Sequence, residues 1–324
     1  MGSRFVSTMA SLLFMAMVLE SAIAQLSTNH YAASCPGGKA KVAEVVNTWI
    51  ENDRTLAPSL LRMHFHDCFV RGCEASVLLD VPNGEKFAFG NRNSLRGFEV
   101  IDDIKAELEV LCPGVFSCAD IIALAARDAM VAFGVPGLNW NVPLGRRDGN
   151  VSSAAEANSN LPPPSANFDS LKTLFAGKGF NVREMVVLSG SHTIGVAHCR
   201  TIQSRLYNFS STEATDPALR KSFARSLKRQ CPFGDTTTVI KMDQSTTIDK
   251  WNREYFENVL DGKSLFISDN ALRTTFQGRH IVDEMEEHDS PFTSEFAAAM
   301  SKMSQIGVLT GSQGQIRTNC RLVN

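Results

Sequence analysis

Residues 62–80 read Arg-Met-His-Phe-His-Asp-Cys-Phe-Val-Arg-Gly-Cys-Glu-Ala-Ser-Val-Leu-Leu-Asp and hold a dense set of chemically competent side chains. Helical spacing places Arg62 and His66 at i,i+4, on one face, while His64 points elsewhere. A permanent cation and a titratable imidazole then aim at one spot. That pair suits the splitting of a polar bond: the imidazole moves a proton and the guanidinium stabilises the developing negative charge. Downstream, Asp67, Glu74 and Ser76 offer hard oxygens, Gly72 lets carbonyls turn inward, and Cys68 and Cys73 can pinch the loop between them. Such a loop suits calcium, although no Asp-x-Asp-x-Asp-Gly signature is present.

Positioning these groups requires a helix from Leu56, with Pro58 in its first turn, where a missing N–H costs nothing. Apolar spacing predicts further helices over 39–52, 98–111 and 118–133, the last Ala-rich and buried, with Asp120 in need of a partner. Residues 83–96, which include Glu85 and Asn91, show no apolar period and read as a loop. Leu161-Pro-Pro-Pro is a stiff extended turn. Helical patterns recur over 168–178, 182–188, 202–207, 218–229, 255–260 and 294–306, and 236–252 is irregular with short strands. The pattern predicts one folded unit, mainly α.

The chain has 324 residues, enough for a large core or two lobes sharing one. With 32 basic and 34 acidic residues and a net charge of −2, it presents no case for nucleic acid. Arg4, the apolar run through Leu12, Phe14 and Val18, and the small-x-small Ala22-Ile23-Ala24 predict a signal peptide over 1–24 and a mature domain over 25–324. The rival, a membrane anchor, is disfavoured because the run is short. Secretion makes the eight cysteines a disulfide framework, which admits on the order of 10² pairings; proximity alone suggests only Cys68–Cys73. Zinc is disfavoured because no paired C-x-x-C units occur. Asn150 and Asn208 head glycosylation sequons.

From about Gln25 to the C-terminus, several motifs in order resemble the secretory plant (class III) haem peroxidases. Residues 62–80 resemble the family's distal signature, and Ser189-Gly-Ser-His-Thr-Ile-Gly its proximal one. The resemblance implies a fold of distal and proximal helical lobes sandwiching one haem b, with two calcium ions and a monomeric chain. His192 would be the axial iron ligand, with Asp269 as acceptor for its other nitrogen. On the opposite side His66 would be the base, Asn91 would set its tautomer, and Glu85 would link that loop to the distal calcium. Distal calcium ligands would be Asp67, Val70, Gly72, Glu74 and Ser76, with Glu74 standing where aspartate is usual. Proximal ligands would be Thr193, Asp243 and Thr246. The family's next carboxylate falls on Trp251, so Asp249 is the expected substitute and this site the weaker. Phe65 would wall the distal pocket, and the carbonyl of Pro162 would contact donors. Arg146 is the partner implied for Asp120. The implied disulfides are Cys35–Cys112, Cys68–Cys73, Cys118–Cys320 and Cys199–Cys231.

The implied reaction reduces hydrogen peroxide to water. His66 takes a proton from the near oxygen and returns it to the far one, Arg62 stabilises the charge, and small phenolic donors are oxidised in one-electron steps. The chain runs four residues past Cys320 and lacks the extension of vacuolar members, so the expected location is the apoplast or cell wall, with no membrane association. Two rivals remain: a secreted metal hydrolase using His64, His66 and Asp67, and a non-catalytic extracellular glycoprotein. The divergence of His64 and His66 opposes the first; the presence of Arg62, His66, Asn91 and His192 together opposes the second.

Overall fold

The computed structural model describes residues 26–244, 250–288 and 290–324. The signal-peptide expectation and the ligand candidates Thr246 and Asp249 lie outside the described residues. Helices α1 (Gly38–Asn52), α2 (Leu56–Val70), α3 (Phe98–Leu111) and α4 (Cys118–Ala132) form one group. Of these, α2 and α1 both pack on α4, whose alanines at 119, 123, 125, 126 and 129 keep its surface low and let neighbouring backbones approach. As expected, Pro58 sits in the first turn of α2.

After two short helices, α5 (Ala154–Asn160) and α6 (Phe168–Gly177), the second group is built on α7 (Val182–Ser189). Asn181 and Glu184 close a capping box at its start. The strand β1 (Val196–His198) follows, then α8 (Gln203–Leu206), α9 (Lys221–Gln230) and β2 (Val239–Lys241). β1 pairs antiparallel with β2, with Val196 opposite Lys241. These elements enclose a small core of Ile202, Leu206, Phe223 and Leu227, separate from the main one. Helices α10 (Glu254–Leu260), α11 (Ile267–Ala271), α12 (Phe276–Glu286) and α13 (Phe292–Met303) complete the second group; α12 and α13 both pack on α7. The fold is mainly α, with two helical lobes.

All four disulfides join the pairs that the resemblance implied. Cys118–Cys320 ties the start of α4 to the C-terminal tail, and Cys199–Cys231 staples the small core.

A buried charge pair joins the layers. Arg146 Nη1 donates to Asp120 Oδ1 at 2.6 Å, and both side chains are fully buried. Asp120 also accepts from the Tyr31 hydroxyl at 2.7 Å and the Gly145 N–H at 2.6 Å. Arg146 spends its remaining donors on the Ser304 carbonyl, just past α13. One hub thus links the N-terminal segment, α4, the 145–146 turn and the end of α13. We expect Asp120→Ala to cost about 3–5 kcal/mol, because it strands a buried guanidinium. Urea midpoints should show the loss, and a change below about 1 kcal/mol would contradict this role.

Candidate active site

The distal cluster stands on α2 and the loop after it. His66 Nδ1 lies 2.5 Å from Asn91 Oδ1. Asn91 Nδ2 donates to the Glu85 carbonyl at 2.8 Å, which fixes the amide so that its oxygen faces the imidazole. The proton therefore sits on Nδ1, and Nε2 is a bare acceptor without a partner among the described residues. Burial, reinforced by the Arg62 charge, holds His66 well below its usual range. The ring is neutral at physiological pH, as a base must be.

Arg62 is pinned by neutral acceptors. Nη1 donates to the Ser94 carbonyl at 2.9 Å; Nη2 donates to the Gly90 carbonyl at 2.6 Å and to Ser94 Oγ at 3.2 Å. Burial, and then the Arg200 charge, lower it to about 10, still protonated near neutrality. No carboxylate pairs with it among the described residues, so its charge is available to a substrate. Phe65 lies edge-on to His66, with centroids 5.6 Å apart.

His64 points away, as the spacing predicts. Its Nδ1 lies 3.6 Å from Cys68 Sγ, against the disulfide, and burial drives it down to about 3. Among the described residues no three His, Cys, Asp or Glu side chains gather as a metal-ligand group. The hydrolase alternative therefore has no ligand set.

The acidic loop presents buried oxygens without hydrogen-bond partners: Asp67 Oδ1, Glu74 Oε1, Ser76 Oγ and both oxygens of Glu85. Burial pushes Asp67 up to about 7 and Glu85 to about 8, and raises Glu74. Arg71 Nε lies 3.6 Å from Glu74 Oε1, and Arg317 offsets part of the burial cost of Asp67 and Glu74. The Glu74 side chain lies over Gly149, where a Cβ would fall 1.5 Å from Oε2; the missing side chain makes room for the extra methylene. The carbonyls expected to be ligands are partly engaged: that of Val70 accepts from Lys178 Nζ at 3.0 Å, and that of Gly72 from the Glu74 N–H at 2.8 Å.

On the proximal side, α7 runs into a tight turn, Gly190–Thr193, carrying His192. A Cβ on Gly190 would fall 2.5 Å from the Phe292 ring and 2.8 Å from Phe256, so only glycine lets the turn seat here. His192 Nδ1 donates to Asp269 Oδ1 at 2.8 Å. The same oxygen accepts from the Tyr255 hydroxyl at 3.0 Å, and Oδ2 from the Phe266 N–H at 3.2 Å. His192 is 37% exposed while Asp269 is buried, and its Nε2 has no partner among the described residues. Thr193 Oγ1 donates to Asn252 Oδ1 at 3.1 Å, and Asp243 Oδ1 accepts from Asn258 Nδ2 at 3.1 Å.

The peroxidase family's sequence profile matches residues 42–288. Peroxidase 3 of Arabidopsis thaliana is 46% identical over 305 residues, covering 93% of each chain. Peroxidase 5 of Vitis vinifera is 47% identical over 306 residues, covering 93% of this chain and 92% of its own. Peroxidase 30 of Arabidopsis thaliana is 44% identical over 307 residues, covering 94% and 92%. The chain belongs to the class III plant peroxidases. It is a haem peroxidase that reduces hydrogen peroxide at the expense of a donor.

Some neighbours of the site carried no signal in the peroxidase sequence. Tyr255 shares Asp269 with His192 yet reads as one apolar position of a short helix. Lys178 reaches Val70 across 108 positions. Asn252, not Trp251, brings an oxygen to Thr193. Phe89, beside Gly90 and Asn91, is 71% exposed at the loop edge.

The charge arrangement sets a pH dependence. Because His66 is depressed, the neutral base persists as pH falls below 6.5, and the peroxide rate should hold flat there. Arg62→Leu removes a positive neighbour, so the proton affinity of His66 rises and the acid limb should move to higher pH. Stopped-flow profiles of both proteins test this; an acid limb that moves to lower pH in the variant contradicts it.

Proposed function

We propose that one haem b would be held by this peroxidase through His192, whose Nε2 would ligate the iron, with His66 as the base, and that the enzyme oxidises small phenolic donors. The observation that carries the reading is the pair of imidazoles, each with Nδ1 bound to a side-chain oxygen and Nε2 left bare. Two contacts hold the segment after His192 against the His66 side. Gly195, at φ +91°, leaves the segment after His192 against Pro58 of α2, where a Cβ would fall 3.2 Å away. Arg200 donates to the Arg92 carbonyl at 2.8 Å, which links the segment after His192 to the loop after α2. The bound haem supplies the redox centre that accepts peroxide's oxidising equivalents.

The chain's own groups do the rest. His66 Nε2 accepts the proton of peroxide's near oxygen and delivers it to the far one, so that water can leave. Arg62 stabilises the negative charge that grows as the bond breaks. Asp269 holds the proton of His192 on Nδ1 and makes that ring electron-rich. The Tyr255 hydroxyl, raised well above its usual range by burial, stays a phenol and steadies Asp269. Phe65 narrows access. The Pro162 carbonyl, which accepts no hydrogen bond among the described residues, is the proposed donor contact.

Asp67, Glu74 and Ser76 with the Val70 and Gly72 carbonyls are proposed as the distal calcium shell, with Glu85 behind it. Thr193 and Asp243 are proposed for the proximal ion. Asn150 and Asn208 are both exposed, as glycan carriers must be. Among the described residues no helix is long and apolar enough to cross a membrane. The proposed setting is extracellular, in apoplast or cell wall, as a monomer.

The test is spectroscopic and kinetic. Purified protein with haem should show an intense Soret band that shifts on adding peroxide, and a protein without it refutes the reading. His66→Ala should slow the peroxide step by roughly 10²–10⁴-fold with haem retained; rates near wild type would sink the assignment of the base. For calcium, Gly149→Ala should displace Glu74 and lower calcium retention during chelation. Gly177→Ala, where a Cβ meets nothing within 4 Å, is the control. Equal retention in both variants counts against Glu74 as a ligand.

A further inference from the structure

A surface cleft of about 250 Å³ is lined by Phe133, Val135, Pro136, Lys250, Trp251 and Asn252. Its volume suits a single substituted ring, and its walls are aromatic and aliphatic. At the rim Lys250 is exposed and makes no ion pair among the described residues. An aromatic ring bearing a carboxylate matches this lining: the ring meets Trp251 and Phe133, and the carboxylate meets the ammonium.

Trp251 also connects inward. Its ring stacks on Phe292, with centroids 4.9 Å apart and planes 6° from parallel. Phe292 meets Phe256 at 4.9 Å, Phe256 meets Tyr255 at 5.1 Å, and Tyr255 meets His192 at 6.2 Å. Tyr255 and His192 then share Asp269 Oδ1. A second path is shorter: Asn252, next in the chain, accepts from Thr193 Oγ1 at 3.1 Å, and Thr193 follows His192. Tryptophan and tyrosine are the readily oxidised members of this series, and of the two only Trp251 lines the cleft.

We propose that the Trp251 cleft is a second donor site, where a carboxylated phenol reduces the enzyme through the indole rather than at the haem edge. The proposal rests on the haem reading above, because the oxidising equivalents come from peroxide at the His66–His192 pocket. The indole loses one electron inward while its N–H stays hydrogen bonded to Thr293 Oγ1 at 3.2 Å. The bound phenol returns that electron to the indole, releases its phenolic proton to water and departs as a phenoxyl radical. Two passes balance one peroxide: it gains two electrons and two protons and becomes two waters, and two phenols become two phenoxyl radicals.

The experiment uses the haem-loaded full chain. A nitroso spin trap is added with peroxide, and adducts are mapped by peptide mass spectrometry, with and without 4-hydroxycinnamate. In parallel, binding of 4-hydroxycinnamate is read without peroxide by tryptophan fluorescence. We expect an adduct on Trp251 that 4-hydroxycinnamate suppresses, and none at position 251 in Trp251→Phe, which keeps a stacked ring. Lys250→Glu should weaken binding of the carboxylated phenol by about three- to tenfold and leave an uncharged phenol unaffected. Wild-type enzyme that turns over phenols but carries no Trp251 adduct overturns the second site alone. Equal binding to wild type and Lys250→Glu overturns the carboxylate preference and the cleft assignment. A wild-type protein that turns over no phenol overturns the haem reading, and this proposal with it.

Discussion

The hydrogen bond that fixes which imidazole nitrogen carries the proton is the constraint around which the rest is arranged. A histidine with a free choice of tautomer can be neither a dependable base nor a dependable ligand. Here each of the two key rings gives its Nδ1 proton to an oxygen that is itself immobilised. The two acceptors differ in charge. An amide oxygen faces His66, which leaves it a modest base for the proton-shuttling role proposed above. A carboxylate faces His192 and makes it the stronger electron donor. Much of the architecture near the site holds these two acceptors still. The Glu85 carbonyl clamps Asn91; the Tyr255 hydroxyl and the Phe266 N–H clamp Asp269.

The same logic explains why so much charge is buried. Burial raises the proton affinity of Asp67, Glu74 and Glu85, and the Glu74 charge adds to it at Asp67 and Glu85. The distal calcium proposed above would offset that burial cost next to the loop that carries Asn91. Asp120 and Arg146 solve the burial problem differently. They satisfy each other and draw four separate segments onto one point.

How much of this was legible depended on the kind of signal. The long helices α1, α3 and α4 announce themselves by apolar period, and Arg62 and His66 by spacing on α2. Cys68–Cys73 was suggested by proximity; the other disulfide partners, Asn91 and Asp269 came through the family resemblance, and nothing in composition or period selects them. Helices α5, α11 and α12 lay outside the expectations. α5 buries only Ala157 and is held by the Ser153 cap, so it has no apolar stripe to read. α12 carries a glycine as its third residue and leaves Phe276 90% exposed, which blurs the pattern of Ile281, Val282 and Met285. Contacts such as Lys178 to Val70 join residues distant in the chain and leave no local trace.

The proximal region shows how one substitution can exchange one physical role for another. Where the family resemblance calls for a carboxylate, Trp251 turns its ring onto Phe292 and Phe296 and its N–H to Thr293, all on α13. That side chain is therefore committed to packing and cannot serve a cation. The oxygen offered to Thr193 comes instead from the next residue, Asn252, an amide without charge. A hard cation loses attraction at this position, while the segment gains an apolar anchor that does not depend on one. The proximal turn is thus braced from two sides, by the Phe256 and Phe292 rings packed against Gly190 and by the Asn252 amide against Thr193. A brace built on stacking and a neutral hydrogen bond carries no proton or cation dependence of its own. The distal acids have no such independence, and the two faces of the pocket should therefore fail under different conditions.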